Sequence, residues 1–364
     1  MRVEFSALDY AMMAEALRLA RKGLWTAEPN PRVGCVIARG ERIVGRGWHA
    51  RTGGPHAEVG ALAEAGGQAK GATAYVNLEP CSHHGRTPPC ADALIESGIA
   101  RVVCAMRDPH PSVAGEGMRR LQAAGVEVEC GLMQDQALEL NRGFVSRIEQ
   151  KRPFVRAKLA GSLDAKTSGP DGESKWITGE AARRDGHRWR ARAGAILTGI
   201  ETVLADDPGL DVRLDDFEKK PLVVVADSRA RLPETARLLT TGAPVLQVAV
   251  GGDAPVAAGC ERVVVPAESD GRVALDAVLA MLAERGINEL HVEAGPTLTG
   301  ALLMQGLVDE LLVYQAPCII GADGAAMLRL PGVEKLDQRL QFHVLERRAV
   351  GMDLRLRLAP AGGR

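Results

Sequence analysis

Apolar side chains at Leu8, Met12, Ala16 and Leu19 recur every three or four residues, which lays them along one helical face, and Gly23 supplies the stop. Two short apolar runs, Val33–Ala38 and Arg42–Trp48, then read as strands. From His56 the chain turns Ala-rich, predicting a helix that ends near Gly66-Gly67. Ala72–Leu78 (ATAYVNL) has the composition of a buried strand and runs straight into Glu79-Pro80-Cys81. Pro88-Pro89 before Cys90 suits the first turn of another helix, where proline's missing N–H costs nothing. Arg101–Ala105, Gly115–Ala124 and Val126–Cys130 continue as strand, helix and strand. The alternation predicts a three-layer α/β/α domain over residues 1–150.

Lys151-Arg152-Pro153 marks a boundary, and a second α/β pattern fills residues 151–364. Its strands are predicted at Phe154–Ala160, Ala193–Leu197, Leu222–Ala226, Pro244–Val250, Glu261–Val265 and Glu289–Glu293. Its helices are predicted at Gly179–Arg192, Ala274–Arg285 and Pro296–Gln305.

A length of 364 residues agrees with two domains at about 150 residues each. With 46% hydrophobic and 25% charged residues, the chain can bury ordinary cores. The N-terminus carries Glu4, Asp9 and Glu15 with no apolar stretch of signal-peptide type. No apolar run reaches the roughly 18 residues of a membrane span. Seven scattered cysteines do not form a disulfide framework, and Cys35 and Cys104 sit inside apolar runs as core residues. These features lead us to expect a cytoplasmic protein with no membrane partner. A net charge of −1 and 3% aromatics offer neither the basic footprint nor the stacking platforms of a nucleic-acid binder.

Candidate chemistry concentrates in His56-Ala57-Glu58, Glu79-Pro80-Cys81 and Cys90. One imidazole and two thiolates can hold Zn²⁺ and leave a fourth position to water, whose pKa the metal lowers toward about 7. Glu58, two residues from His56, is placed to move protons without ligating. H-x-E followed by P-C-x-x-C is the pattern of zinc nucleobase deaminases. Here the eight residues Ser82–Pro89 separate the cysteines. H-x-E alone is more often a surface pair, and two nearby cysteines also suit a structural zinc site. Such a site needs four protein ligands, and the fourth is missing unless His83 or His84 serves.

These residues, with the flanking stretches, resemble the bifunctional riboflavin-biosynthesis deaminase/reductase family. In the first domain the matching stretches are Pro29–Ile37 (PNPRVGCVI), His56–Leu62, Gly71–Pro89, Asp108–Gly115 and Gly143-Phe144. In the second they are Lys158–Asp164 (KLAGSLD), Gly172–Thr178 (GESKWIT), Arg183–Asp185, Ala195–Thr198, Glu201–Pro208 (ETVLADDP) and Val292–Leu298 (VEAGPTL). The long spacer between Cys81 and Cys90 is itself a mark of this branch.

The resemblance implies a cytidine-deaminase-like first domain and a dihydrofolate-reductase-like second domain. It implies hydrolysis of the 2-amino group of 2,5-diamino-6-(5-phosphoribosylamino)pyrimidin-4(3H)-one, then NADPH reduction of the ribosyl to the ribityl side chain. His56, Cys81 and Cys90 would hold one zinc ion, and Glu58 would take the water proton and pass it to the ring and the leaving amine. Asn30, whose amide both donates and accepts, fits a pyrimidinone edge. His49, His83 and Arg86 are candidates for the substrate's polar groups and phosphate.

For the reductase, no G-x-G-x-x-G is present, which disfavours a Rossmann site. Val292–Thr297 reads instead as a strand end, a tight turn and a Pro-started helix whose N-terminus can meet a phosphate. By the resemblance, Ala160, Trp176, Thr202, Asp206 and the run Gly295, Pro296, Thr297, Leu298, Thr299, Gly300 and Ala301 would contact NADPH. Ser174, Arg190, Leu210, Arg213 and Glu293 would contact substrate, the arginines its phosphate. Lys158 and Asp206 would assist proton delivery. The family commonly has glycine where this chain has Ala165, losing easy access to φ > 0 at that turn. A tryptophan such as Trp176 is otherwise more often a core residue on a strand edge.

A homo-oligomer, dimer or tetramer, is expected by analogy with such folds. Three other readings have discriminators. A deaminase with a silent second domain would not bind NADPH. A nucleic-acid-editing deaminase would show salt-dependent RNA binding. A zinc-stabilised binding protein would be indifferent to Glu58→Gln.

Overall fold

The computed structural model describes residues 4–82, 88–111, 114–215, 217, 219–252 and 255–362. The chain divides into two compact units, Met1–Lys151 and Arg152–Arg364.

The first unit runs α1 (Ala7–Ala20), β1 (Gly34–Arg39), β2 (Arg42–Trp48), α2 (Ala57–Ala65), β3 (Thr73–Val76), α3 (Cys90–Glu96), β4 (Arg101–Cys104), α4 (Glu116–Ala123), β5 (Glu127–Cys130) and α5 (Gln134–Glu149). A capping box starts α1: the Ser6 hydroxyl accepts the Asp9 N–H at 3.1 Å, and the Asp9 carboxylate accepts the Ser6 N–H at 2.9 Å. The sheet has the order β2-β1-β3-β4-β5, with β1 antiparallel to both neighbours and β3, β4 and β5 parallel. Alternate strand residues face opposite layers. Cys35, Ile37, Val76 and Val102 pack on Ala61 and Ala65 of α2, Leu94 of α3 and Leu121 of α4. Val36, Ala38, Tyr75 and Val103 pack on Met13 and Leu17 of α1 and Leu140 of α5. Each large apolar side chain buried this way contributes about 1.5–3 kcal/mol.

Glycine lets α2 lie directly on β2. A Cβ on Gly45 would stand 2.1 Å from the Ala61 carbonyl oxygen, and one on Gly47 would stand 2.0 Å from that of Ala57.

The second unit runs β6 (Phe154–Gly161), β7 (Lys166–Ser168), α6 (Glu180–Arg192), β8 (Ala195–Gly199), α7 (Ile200–Asp206), β9 (Leu222–Ala226), β10 (Val245–Ala249), β11 (Cys260–Val264), α8 (Leu275–Glu284), β12 (Glu289–Val292), α9 (Pro296–Met304), β13 (Glu310–Gln315), β14 (Ala325–Ala326), β15 (Phe342–Val350) and β16 (Asp353–Pro360). Its main sheet has the order β11-β10-β9-β8-β12-β6-β13-β16-β15. The strands from β11 to β13 are parallel, and β16 and β15 add an antiparallel edge. Leu197, Val224 and Leu290 pack under α8 and α9, whereas Ile196, Val223 and Val225 face α7 and Leu238.

Arg156 is fully buried at the centre of this sheet. It donates to Glu310 at 2.8 Å and to Glu289 at 3.0 Å, with the Trp189 ring 4.5 Å from its guanidinium. The hydrophobic pattern did not disclose α5, α7, β13 or the β15–β16 hairpin. On β15 the exposed residues do not alternate with buried ones, and Arg355 and Arg357 of β16 are tied by ion pairs to Glu346 and Glu310.

Candidate active sites

In the first unit, β3 leads into the segment carrying Asn77, Glu79 and Cys81. Asn77 is fully buried and acts as a spacer between backbones: its Oδ1 accepts the Gly34 N–H at 2.7 Å, and its Nδ2 donates to the Arg32 carbonyl at 2.9 Å. The Glu79 carboxylate accepts the N–H groups of Asp108 (3.2 Å), Gly115 (2.9 Å) and Met118 (3.2 Å). Gly117 lets α4 close on this segment, since a Cβ there would be 1.9 Å from the Pro80 carbonyl oxygen. Cys81 is thereby fixed beside Cys90, whose N–H points at the Cys81 sulfur from 3.3 Å.

His56, at the N-cap of α2, completes the cluster. Its Nδ1 lies 3.1 Å from Cys90 Sγ and 3.6 Å from Cys81 Sγ. A tetrahedral zinc ion with Zn–S near 2.3 Å and Zn–N near 2.0–2.1 Å sets its ligands roughly 3.5–3.8 Å apart. The three donor atoms lie within 4.8 Å of one another, the His56–Cys81 pair at the zinc spacing and the His56–Cys90 pair inside it, and among the described residues the cluster has these three members. His83 and Arg86 lie outside the described residues, as does His84. Hydrogen bonds from the Cys90 thiol and from His56 hold Cys81 well below its usual range, and Cys90 is pushed up. Hydrogen bonding to Cys81 raises His56.

Glu58 sits in the first turn of α2, 4% exposed. Burial, then the nearby Cys81 charge, pushes its carboxyl up to about 6. A carboxyl near neutrality both takes and returns a proton at working pH. Asn30 and His49 form a pair. The Pro55 carbonyl can only accept, so His49 Nδ1 (3.0 Å away) carries the proton, and Nε2 accepts from Asn30 Nδ2 at 3.0 Å. Burial pulls the His49 pKa down, consistent with this neutral form. The pair commits the Asn30 nitrogen and reserves its oxygen as an acceptor.

In the second unit, a cavity of about 810 Å³ opens where β6, β8 and β12 end. Of the residues singled out from the sequence, it gathers Ala160, Ser174, Trp176, Arg190, Thr202, Asp206, Leu210, Arg213, Glu293, Gly295 and Pro296. Arg190 grips the Glu293 carboxylate with two nitrogens, Nη2 to Oε2 at 2.9 Å and Nε to Oε1, and its Nη1 donates to the Asp211 carbonyl at 2.8 Å. Lys158 Nζ stands 3.7 Å from Glu293. Burial alone would raise Glu293, but Arg190 and Lys158 outweigh it and hold the carboxyl well below its usual range. Ser174 donates to Asp206 at 3.3 Å, and the Thr202 hydroxyl accepts the Gly295 N–H at 3.1 Å.

Trp176 is not a core residue. It is 66% exposed, with the Arg183 guanidinium 4.5 Å over its ring. The run Gly295–Ala301 spans the N-cap and first turns of α9. Thr297 to Ala301 do not line the cavity. Thr299 and Gly300 are buried, the Thr299 N–H is spent on Gly295, and a Cβ on Gly300 would be 1.9 Å from the Arg329 carbonyl oxygen. Within the run, Gly295 and Pro296 line the cavity and Thr297 is exposed, whereas Thr299 and Gly300 turn into the packing of the helix. The cavity also holds residues that the sequence reading did not single out, His187 and Tyr314 among them. His187 could have been found from its spacing of three from Arg190 on a helix.

Two family models match the chain: the cytidine and deoxycytidylate deaminase zinc-binding region over residues 6–106, and the RibD C-terminal domain over residues 153–355. The riboflavin biosynthesis protein RibD of Escherichia coli (strain K12) is 47% identical over 97% of this chain and 100% of that protein. The chain belongs to the RibD family. RibD of Bacillus amyloliquefaciens is 42% identical over 97% of this chain and 96% of its own length. Among solved structures, Acinetobacter baumannii RibD (form 1) superposes with a TM-score of 0.89 at 42% identity, covering 97% of this chain and 99% of that one. A Thermotoga maritima diaminohydroxyphosphoribosylaminopyrimidine deaminase/5-amino-6-(5-phosphoribosylamino)uracil reductase gives 0.89 at 32% identity, with the same coverage. As a RibD family member the chain is a bifunctional riboflavin-biosynthesis enzyme, a zinc-dependent deaminase and an NADPH-dependent reductase. No helix is long and apolar enough to cross a membrane among the described residues.

Proposed function

We propose that the first unit deaminates 2,5-diamino-6-(5-phosphoribosylamino)pyrimidin-4(3H)-one and that the second reduces the ribosyl group of the resulting 5-amino-6-(5-phosphoribosylamino)uracil. The observation that carries this reading is the three-donor cluster His56, Cys81 and Cys90 with buried Glu58 in the adjoining helical turn. Zinc held there supplies the Lewis acidity that makes water a competent nucleophile at neutral pH. Glu58 takes one proton from the water and gives it to the ring nitrogen, then takes the second from the added hydroxyl and gives it to the departing amine. The Asn30 oxygen, reserved by the His49 pair, accepts from the pyrimidine edge, and His83, between Cys81 and Cys90 in the sequence, is a further contact.

NADPH supplies the hydride that reduces the sugar carbon. Ala160, Trp176, Thr202, Asp206 and Gly295 to Ala301 hold this cofactor, with Gly295 and Pro296 nearest the cavity. Ser174, Leu210, Arg213 and Glu293 contact the substrate, and Arg190 and Arg213 take its phosphate. Lys158 and Asp206 are suited to supply the proton that accompanies reduction.

The finer expectations follow the same lines. Seven free thiols suit a cytoplasmic location. A net charge of −1 speaks against a nucleic-acid partner. Leu345 and Met352, exposed on the β15–β16 edge, suit burial against a second copy in a dimer or tetramer. Zinc-loaded enzyme given the diaminopyrimidine ribotide and NADPH should release ammonia and then consume NADPH. Ammonia without NADPH consumption would refute the reductase half of the reading, and neither would refute both.

A further inference from the structure

The Asp207–Arg213 segment forms one wall of the reductase cavity, yet little in its own sequence holds it in shape. Asp207 has φ +41° and Leu210 has φ +50°, the left-handed region that a branched aliphatic side chain disfavours. Such a segment keeps its shape only if its surroundings hold it. Two ties run to α6. One is the bond from Arg190 Nη1 to the Asp211 carbonyl at 2.8 Å. The other is a backbone bond from the Arg213 N–H to Nδ1 of His187 at 3.2 Å. His187 and Arg190, three residues apart, lie on the same face of α6 and both line the cavity.

We propose that His187 is a positioning residue for substrate phosphate: by accepting the Arg213 N–H, its neutral imidazole fixes the wall from which the Arg213 side chain reaches into the cavity. This rests on the reading above in which Arg190 and Arg213 bind that phosphate. An imidazole that accepts at Nδ1 keeps its proton on Nε2, and an imidazolium has no lone pair left to accept with. The surroundings hold the neutral form. Burial first, then the charges of Arg190 and Arg213, push the His187 pKa down to about 4. His187 therefore adds order to the phosphate wall without adding charge, and the arginines keep the task of charge recognition.

The test is steady-state kinetics of the full-length enzyme with 5-amino-6-(5-phosphoribosylamino)uracil and NADPH. His187→Phe keeps a ring and removes the acceptor. Its KM for the phosphorylated substrate should rise about tenfold, the scale of one lost hydrogen bond, while kcat and the KM for NADPH stay within about twofold. His187→Gln, whose amide oxygen accepts, should return the KM to within about threefold of the parent. Arg213→Ala serves as the control for the phosphate reading. An unchanged KM in His187→Phe beside a raised KM in Arg213→Ala would overturn the role of His187 and leave the phosphate reading standing. If neither variant raises the KM, the phosphate reading falls and the proposal with it. A uniform loss of kcat and both KM values that Gln does not rescue would mark a merely structural residue. Should His187→Phe fail to fold, histidine-selective ¹⁵N NMR of the unsubstituted enzyme decides: the proposal requires the Nε2–H form at neutral pH, and a proton on Nδ1 overturns it.

Discussion

At the scale of single residues, the deaminase depends on a carboxyl that burial keeps near neutrality. Glu58→Gln preserves shape and hydrogen bonding but cannot carry the proton. We expect ammonia release to fall by at least about a hundredfold with zinc content unchanged by metal analysis. A loss of zinc would make Glu58 a ligand instead. Ala165 offers a second test. Its φ of +58° lies in the left-handed region, at the turn closed by its N–H on the Ser162 carbonyl. That conformation costs an alanine about 1–2 kcal/mol, of which glycine's extra unfolded freedom takes back about 0.5–1. Ala165→Gly should therefore raise unfolding stability by about 0.5–1 kcal/mol, read from urea titration, and equal or lower stability would contradict it. Both residues were legible in the sequence, Glu58 from its spacing to His56 and Ala165 from the glycine it replaces. The roles of His187, Asn77 and Glu79 were not, because each acts on backbone atoms far away along the chain.

At the scale of elements, the zinc cluster is only as well placed as the helix that presents His56. The bare backbone of β2 seats α2, so Gly47→Ala would drive a Cβ to 2.0 Å from the Ala57 carbonyl. The helix must shift, and we expect a loss of about 1–3 kcal/mol in stability together with faster zinc release to a chelator. Retained zinc kinetics with normal stability would show that α2 is not seated by this contact. The legible elements were those with a simple hydrophobic pattern: Leu222–Ala226 is a strand at the positions expected, buried on both faces of a parallel sheet. α5 was missed because Gly143 and polar residues interrupt its apolar face, although buried Asn141 bonds both the N–H and the carbonyl of Arg32. The β15–β16 hairpin was missed because exposed and buried residues do not alternate on β15 and Arg355 and Arg357 of β16 are held by ion pairs, although β16 joins β13 through a backbone ladder.

At the scale of the whole molecule, acid stability is written into the first unit's charge network. Burial alone would raise the Asp9 pKa, but hydrogen bonds from Arg101, Ser6 and Tyr75 bring it well below the usual carboxylate range. A depressed folded pKa gives stability that is full above the unfolded value of about 4 and drains away as pH falls below it. Asp9→Asn should therefore lose less stability than the parent between about pH 7 and about pH 3, measured by denaturant midpoint. An identical slope would remove Asp9 from the acid response. The division of labour between two sites in one chain is tested most directly by mixing. Glu58→Gln with the diaminopyrimidine ribotide and NADPH should release ammonia and oxidise NADPH at least about a hundredfold more slowly than the parent, and Glu293→Gln should release ammonia only. Mixed together, the two variants should restore ammonia release followed by NADPH oxidation, because the released uracil ribotide can reach an intact reductase site. A mixture that releases ammonia yet never oxidises NADPH would contradict two complete and separable sites.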